Sequence, residues 1–336
     1  MITPREALPF DRVVIVADPL DEGSQDSPTH LRRDLEMADE TTIKSVLIAV
    51  RDLGLEAVRY FGPADLSANA ARHRRDVVLP LYGGQRSRSR LSLIPAVCEV
   101  NSLHHIGPDA YGGIICQDKD ISKNLAKECG LRTPWHLMIR SPEQLSMIRN
   151  LPTPFVVKPL LEGSSIGITQ RNLIYDLDEG RHLANEILAL FGQPVIVEGF
   201  ARGREVSYNR IEGSDEYWSF SEVYVAGDDD YFDSHLFDAD EKLNRRLPRS
   251  VRNIDSSLGT DDRIAIERFL AAVGPVGYCR VDGKMFDGRF EFIEITPDAW
   301  LAPSGAFSRG FTEKNWGYSD IILAILLSAF PAPRDR

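Results

Sequence analysis

The stretch Val156-Val157-Lys158-Pro159-Leu160-Leu161-Glu162-Gly163-Ser164-Ser165-Ile166-Gly167-Ile168 decides how this chain is read. Two β-branched residues favour a buried strand, so Lys158 leaves its end with the ammonium along the sheet face, and Pro159 stops the ladder. The small residues from Gly163 to Gly167 then offer backbone N–H groups and hydroxyls that can close over phosphate oxygens. A strand, a lysine and a Gly/Ser loop in that order suit a grip on a nucleotide triphosphate. Standing alone, the same stretch also reads as a polar hairpin turn.

Outward from this segment, the chain alternates between strand and helix signals. Residues 11–17 (DRVVIVA) read as a buried strand, 39–53 carry apolar positions at helical spacing up to Gly54, and 56–60 and 77–81 are short strands. This β-α-β order predicts a parallel sheet with helices on its faces. The connection 18–34 has no GxGxxG, so a dinucleotide fold of the usual kind is not expected. A second unit begins near Cys116, with a helix over 120–129, strands at 155–158 and 194–198, and a helix over 178–191. A third begins near Ala201, with strands at 204–211 and 217–225, a charged loop at 228–252, a helix over 261–273 and a hairpin over 277–296. The expected division is therefore 1–115, 116–200 and 201–336. The apolar run IILAILLSAF at 321–330 is half the length of a membrane span, which needs ~20 residues, and reads as a final core helix.

With 39 Lys+Arg against 50 Asp+Glu, the net charge of -11 argues against nucleic-acid partners and against docking on anionic lipid. Any bound phosphate must be held by a local cluster of cations. The four cysteines show no CxxC spacing, which disfavours a zinc site and a disulfide framework and fits a reducing cytoplasm. The start MITPREALPF lacks a basic segment followed by an apolar core, so a cytoplasmic location is expected.

Two carboxylates extend the reading. Asp282 in GYCRVDGKMF and Glu294 in FEFIEIT lie on consecutive strands joined by a turn at Asp287-Gly288. Mg²⁺ binds hard oxygen ligands, usually one or two carboxylates plus phosphates, so such a pair is chemically adequate. A strict two-residue turn would set Asp282 opposite Ile293 and turn Glu294 to the other face. A shared metal therefore requires a bulge or an odd loop; otherwise these are two solvated strand carboxylates. In VIVEGFARGREVSY (195–208), Glu198 ends an apolar strand and Glu205 opens the next. The backbone between them can meet an adenine edge and Glu205 can accept from ribose hydroxyls, although each glutamate alone reads as an ordinary strand-end charge.

QDKDISKNLAKECGLRTP (117–134), VVKPLLEGSSIGI (156–168), VEGFARGRE (197–205), RVD (280–282) and EIT (294–296) occur in the order and spacing of one family. The chain resembles the ATP-grasp enzymes, and within them the D-alanine–D-alanine ligase type. The resemblance implies an α/β fold with α+β modules: an N-terminal parallel α/β domain and two α+β subdomains that sandwich ATP. It further implies that Lys119 and Lys158 contact phosphates, Ser164 and Ser165 lie in the triphosphate lid, Glu198, Gly199, Phe200 and Ala201 meet the adenine, and Glu205 binds ribose. Asp282 and Glu294, with Thr296 beside them, would hold Mg²⁺, as two ions. Arg280 would steady the charge on the reacting carboxylate, so Arg280, Ser165 and Lys158 form the implied catalytic group. The implied reaction is ADP-forming: a carboxylate attacks the γ-phosphate to give an acyl phosphate, and an amine then displaces phosphate. The implied partners are small amino-acid-like substrates and a second copy of the chain in a homodimer.

The departures from the family lie on the substrate side. Thr296 stands where the family usually has asparagine, with Asp298 close enough to compensate. Ser234-His235-Leu236-Phe237 stands where a lysine and tyrosine are usual, and LYGGQRSRSR (81–90) replaces a histidine-glycine and acidic signature. Candidate substrate contacts are Glu36, Asp39, Arg86, His235 and Ser304. Glu36 and Asp39, at the mouth of the first long helix, suit an amine but equally suit a helix N-terminus. Arg86, Arg88 and Arg90 alternate, as on one face of a strand, where a solvated edge is favoured over a carboxylate site. The expected activity is an ATP-dependent carboxylate–amine ligase acting on an amino acid or related molecule in specialised biosynthesis. The alternatives are the family's own cell-wall reaction and an ATP-binding regulatory subunit that has lost its chemistry, the latter supported by Thr296. Protein-kinase and Walker signatures are absent.

Overall fold

A computed structural model describes residues 8–19, 27–84, 87–244 and 247–330. Strands β1 (Arg12–Ala17), β2 (Glu56–Phe61), β3 (Val77–Leu81) and β4 (His104–His105) form a parallel sheet in the order β2-β1-β3-β4. Five consecutive residues of β1 are buried because it has a strand on each side and helices on each face, which is why it is apolar without alternation. The helices that serve this sheet are α1 (Glu40–Asp52), α2 (Gly62–Asn69) and α3 (Leu93–Asn101). Asp39 starts α1 by accepting a 2.6 Å hydrogen bond from the Thr42 N–H. The chain leaves β1 toward β2 on one side and β3 lies on the other, so the carboxyl ends of β1 and β3 open on a crevice.

After α4 (Ala110–Gln117) and α5 (Lys119–Glu128), the second sheet is antiparallel, with β5 (His136–Ile139), β6 (Phe155–Pro159), β7 (Leu173–Ile174) and β8 (Val195–Gly199) in the order β5-β8-β6-β7. Helix α6 (Leu177–Phe191) covers it, burying Ala184 and Ile187 in a core with Phe155, Val157 and Val197. The third sheet, also antiparallel, is β11-β10-β9-β12-β13, built from β9 (Arg204–Ile211), β10 (Trp218–Val225), β11 (Arg249–Asn253), β12 (Tyr278–Phe286) and β13 (Arg289–Thr296). Helix α8 (Thr260–Val273) packs Ile266 and Phe269 against it.

Several elements lie outside the sequence expectation, among them α2, α3, α4, β5 and β7. The segment 228–252, expected to be a loop, contains α7 (Ala239–Asn244) and the edge strand β11. Every residue of β11 is half-buried, so it lacks the alternation that marks a strand, and it is held by pairing to β10 and by Arg252 on the buried Glu222, at 3.0 Å. The last helices, α9 (Ala306–Thr312) and α10 (Tyr318–Leu327), return to the first sheet. Ile321, Ile322, Ile325 and Leu326 of α10 share one core with Val13, Ile15, Ile43 and Val46.

The β12–β13 hairpin turns on Asp287 and Gly288, with φ of 50° and 70°. Positive φ at both centres belongs to the mirror-image two-residue turn that matches strand twist. Pairing runs regularly from Phe286 opposite Arg289 to Gly283 opposite Phe292. It then skips Ile293, so that Asp282 faces Glu294 and Arg280 faces Thr296.

Candidate active site

Helix α5 buries Lys119, Ser122, Lys123 and Ala126, an i, i+3, i+4, i+7 stripe that carries two lysines inward. The Asp118 carboxylate caps its start by accepting from the N–H groups of Asp120 and Ile121 at 3.0 and 3.1 Å. The Lys119 Nζ lies 3.4 Å from Glu294 Oε2 and also donates to the Glu162 carbonyl. Glu198 sits between the other lysines, with Oε1 2.5 Å from Lys158 Nζ and Oε2 2.8 Å from Lys123 Nζ. On the β6–β8 pair, Lys158 and Glu198 are diagonal neighbours on one face, because Ile196 lies opposite Lys158. Burial alone would raise the Glu198 carboxyl, but the two ammonium groups outweigh it and hold the pKa at about 2. The same burial pulls Lys123 down to about 8.

On the facing sheet, Asp282 accepts from Arg280 Nε and Ser207 Oγ through Oδ1, each at 2.6 Å, and from Thr296 Oγ1 through Oδ2 at 3.1 Å. The bulge at Ile293 thus meets the condition for Asp282 and Glu294 to share a face. Burial would raise Glu294, but Lys119, Lys158, Lys242 and Arg280 outweigh it and hold it at about 2. Both carboxylates are hard oxygen donors of the type magnesium takes, so this pair fits the ion. Thr296 is already donating to Asp282. Among the described residues no group of three or more His, Cys, Asp or Glu side chains gathers as a metal site, so phosphate or water would complete the shell.

Glu205 pairs with Lys284 at 2.7 Å, and Lys284 reaches the carbonyls of Gly203 and Phe232. The charges that gather here are Lys119, Lys123, Lys158, Lys242, Lys284 and Arg280 against Glu198, Glu205, Asp282, Glu291 and Glu294. Six cations against five carboxylates leave a local excess of positive charge in a chain of net charge -11. That is the environment a polyanion such as a triphosphate requires. The N–H groups of Gly199 and Phe200 are bonded to the carbonyls of Trp135 and Pro154 at 2.9 and 3.2 Å. Their donors are thus already used within the fold, and Ala201 beyond them is buried.

The loop after β6 turns through Ser164 and Ser165, whose φ of 48° and 61° place two consecutive side-chain-bearing residues in the left-handed region. Neighbouring elements hold it there. Ser165 Oγ donates to the Phe237 carbonyl at 2.7 Å, and the Gly167 N–H donates to the His30 carbonyl at 2.6 Å. Gln170 spans to the next loop, with Nε2 2.8 Å from the Leu236 carbonyl and 2.9 Å from Asp238 Oδ2, and Oε1 accepting from the Leu236 N–H at 3.0 Å.

At the mouth of the first sheet the charge balance reverses. Glu36 accepts from Arg90 Nη2 at 2.6 and 2.7 Å and from the lid's Gly163 N–H at 2.5 Å. Asp18, just past β1, accepts from the N–H groups of Gly83 and Gly84 at 2.8 and 3.0 Å. A Cβ at Gly83 would lie 2.4 Å from the Glu36 carbonyl oxygen, so only glycine lets the two backbones meet. Burial raises Glu36 to about 7 despite Arg90, with Glu162 and Asp298 adding to the rise, and burial raises Asp18 to about 6 with help from Asp298. Asp18, Glu36, Glu162 and Asp298 face Arg90 and Arg33, the latter 3.6 Å from Glu162. Counted as ionised, this is an excess of negative charge suited to an ammonium group, which the raised carboxyl of Glu36 reduces near neutral pH.

Arg90 corrects the expectation of a solvated edge: it is 5% exposed, in a 3₁₀ turn and not a strand, and is neutralised by Glu36 and by the Leu161 carbonyl at 2.7 Å. Arg86 lies outside the described residues. The Asp39 carboxylate is engaged as the α1 cap. His235 stacks on Tyr231 at 4.2 Å and contacts its carbonyl, and Ser304 is an exposed turn residue before α9. Residues that the sequence reading missed are Lys123, Lys242, Lys284, Asp18 and Ser207. Lys123 carried a signal in its i+4 spacing from Lys119 on the buried stripe, and Lys284 in its alternation with Arg280 and Asp282 along β12.

The three-unit arrangement is that of the ATP-grasp fold. A structure of D-alanine–D-alanine ligase from Bacillus anthracis superposes with a TM-score of 0.68 at 16% identity, covering 95% of this chain and 97% of that one. The VanG D-Ala:D-Ser ligase from Enterococcus faecalis gives 0.66 at 17% identity, covering 95% and 99%. In sequence, D-alanine–D-alanine ligase of Aquifex aeolicus is 25% identical over 297 residues, covering 85% of this chain and 93% of the relative. The corresponding protein of Thermotoga maritima is 26% identical over 238 residues, covering 70% and 75%. The family model described as D-ala D-ala ligase C-terminus matches residues 125–327, more than half of the chain. Fold and family together define an ATP-dependent, ADP-forming carbon–nitrogen ligase. The chain belongs to the D-alanine–D-alanine ligase family. Among the described residues, no helix is long and apolar enough to cross a membrane.

Proposed function

We propose that this protein joins two small amino acids of the D-alanine class, activating the carboxylate of one as an acyl phosphate and releasing ADP as the amine of the other displaces phosphate. The observation that carries this reading is the division of charge across one crevice: a cationic face around Lys119, Lys158 and Arg280, and an anionic face around Asp18, Glu36 and Asp298. The reaction needs both faces, one for a triphosphate and one for an ammonium group. The relatives' own activity favours this reading over a ligation in specialised biosynthesis.

In this reading Lys119 and Lys158 neutralise phosphate charge, with Glu198 fixing Lys158 and Lys123 in place. Lys242, which feels Glu294, Asp282 and Glu205 from α7, adds a further cation from the lid side. Asp282 and Glu294 would hold Mg²⁺, which supplies charge neutralisation on the transferring phosphoryl group. Arg280, fixed by Asp282, stabilises negative charge on the reacting carboxylate. Ser164 and Ser165 close the loop over the phosphates, Glu205 meets the ribose, and the turn from Glu198 to Ala201 meets the adenine. Phosphoryl transfer of this kind requires positioning and charge neutralisation and no protein nucleophile.

Incubation with Mg-ATP, paired amino acids and hydroxylamine tests the proposal. The expected results are ADP release that depends on the amino acid, a trapped hydroxamate, and a dipeptide by mass spectrometry. Nucleotide binding with no ADP release under any amino acid would instead establish a regulatory module.

A further inference from the structure

Four carboxylates stand at the mouth of the first sheet, and pairing accounts for two of them. Arg90 holds Glu36 at 2.6 Å, and Arg33 lies 3.6 Å from Glu162. Asp18, 6% exposed, accepts from the N–H groups of Gly83 and Gly84, and Asp298 bears on it as a second negative charge. Among the described residues neither Asp18 nor Asp298 forms an ion pair. Arg90 and Arg280 act on Asp298 from a distance but are bound to Glu36 and Asp282. Asp298 also borders a half-open cavity between the first sheet and β12, with Pro80, Tyr82, Ile94, Ile106 and Tyr278 among its other walls. Tyr278 is 1% exposed, its hydroxyl has no hydrogen-bond partner among the described residues, and it feels the charge of Asp298. An unsatisfied buried hydroxyl and a carboxylate without a counter-charge therefore meet at one space.

Charge and polarity together restrict what suits this space. An alkyl group satisfies the apolar walls and leaves the hydroxyl and both carboxylates unanswered. A hydroxyl or amide pairs with Tyr278 but brings no counter-charge to carboxylates held out of water. An ammonium group on an aliphatic stem answers all three: its methylenes lie against Pro80, Ile94 and Ile106, and its N–H groups donate to Asp298 and to the Tyr278 oxygen, with Asp18 as the second anion. A metal ion suits the space less well, because among the described residues no three His, Cys, Asp or Glu side chains gather to hold one. The ligase reaction needs one carboxylate for the α-ammonium group of the activated amino acid, since the attacking amine reacts uncharged. Asp18 and Asp298 together exceed that need. We infer that the cavity at Asp298 and Tyr278, with Asp18 beside it, is a side-chain subsite for a second ammonium group, so that one of the two substrates is a diamino acid. This inference rests on the ligase reading above and adds the class of one substrate.

The test compares kcat/KM for 2,3-diaminopropionate, 2,4-diaminobutyrate and ornithine with that for their near-isosteric neutral counterparts 2-aminobutyrate, norvaline and norleucine. Each is supplied as both enantiomers, with alanine as the other substrate, to the parent and to Asp298→Asn. A site built to pair a polar group of the substrate discriminates strongly against the analogue that lacks it. At least one diamino acid should therefore exceed its counterpart by about tenfold or more in the parent, and Asp298→Asn should bring that ratio toward one. Tyr278→Phe keeps both charges and should lower the ratio only in part. Asp18→Asn removes the second charge, carries the same expectation as Asp298→Asn, and decides the matter where Asp298→Asn does not fold. Two results would overturn the inference: no preference for any diamino acid in the parent, or a ratio that the loss of the carboxylate charge leaves unchanged. ADP release without this selectivity sinks this inference alone, whereas no ADP release with any amino acid sinks the ligase reading and this inference with it.

Discussion

Asp282 and Glu294 are cross-strand partners, although the two-residue turn at Asp287-Gly288 would by itself set Asp282 opposite Ile293. The extra residue, Ile293, turns Glu294 out of the face that holds Phe290 and Phe292 and toward Lys119, while those two phenylalanines stay in the core. One irregularity thus lets a single strand serve a hydrophobic interior and a charged site.

If the two carboxylates bind magnesium, Asp282→Asn should lower turnover by about 10²-fold or more, the usual scale for losing a group that stabilises the transition state. It should also raise the Mg²⁺ concentration needed for half-maximal ADP release. A variant whose magnesium dependence matches the parent's would remove Asp282 from the metal site.

Glu198→Ala should destabilise the fold. It leaves Lys123 and Lys158, which are 0% and 5% exposed, without their shared partner, and breaking a buried pair in this way costs about 3–5 kcal/mol. Chemical denaturation measures the loss, and the double variant Lys123→Met/Glu198→Gln should recover part of it. Stability equal to the parent's would mean that water reaches these lysines in solution.

The pH dependence of stability follows from the directions of the shifts. The Asp18 carboxyl is raised in the folded state to about 6, so its contribution is fully present below about pH 4 and is lost as pH rises through 6. Glu198 and Glu294, held at about 2, act in the opposite sense: their contribution is present above about pH 4.5 and lost as pH falls toward 2. Between about pH 4 and 6, Asp18→Asn should therefore make the stability profile rise more, or fall less, with pH than the parent's. Superimposable slopes from denaturant titrations at several pH values would show that Asp18 titrates normally.

Gln170 ties its turn to the loop at 236–238, so if the Ser164–Ser165 loop closes over the phosphates, Gln170→Ala should loosen the closed site more than it weakens the fold. A closed site keeps water from reactive intermediates. The expected consequence is a several-fold rise in ADP formed per amide bond, read by assaying both products in one reaction. A ratio that stays at the parent's value would show that the latch is dispensable.

The elements set by local patterning were legible in the sequence, and those set by distant partners were not. The apolar run at β1, the helical spacing of α1 and α8 and the Asp-Gly turn each follow from the residues themselves. The need for a bulge between Asp282 and Glu294 was likewise deducible, because strand alternation counts residues. Arg90 was misread because an arginine in a run of serines looks solvated until Glu36, 54 positions away, is placed beside it. Strand β11 and helix α7 were missed for the same reason: Arg249–Asn253 and Ala239–Asn244 have too little apolar periodicity and are fixed by what they pack against. Lys123 is the opposite case, because its place on the buried stripe of α5 was readable and only its charge argued otherwise.

The Glu36 carboxylate gathers Arg90 and the Gly163 N–H, so three stretches of chain far apart in sequence meet on two oxygen atoms. The first unit therefore does more than line the crevice, because it supplies the acceptor on which the lid of the second unit rests. A chimera that took its first unit from a different ligase would inherit the ATP residues intact and still lack the contact that seats the loop, unless Glu36 and Arg90 travelled with the graft. New substrate ranges for this scaffold are in that sense constrained by a pair of residues that need not touch the new substrate at all.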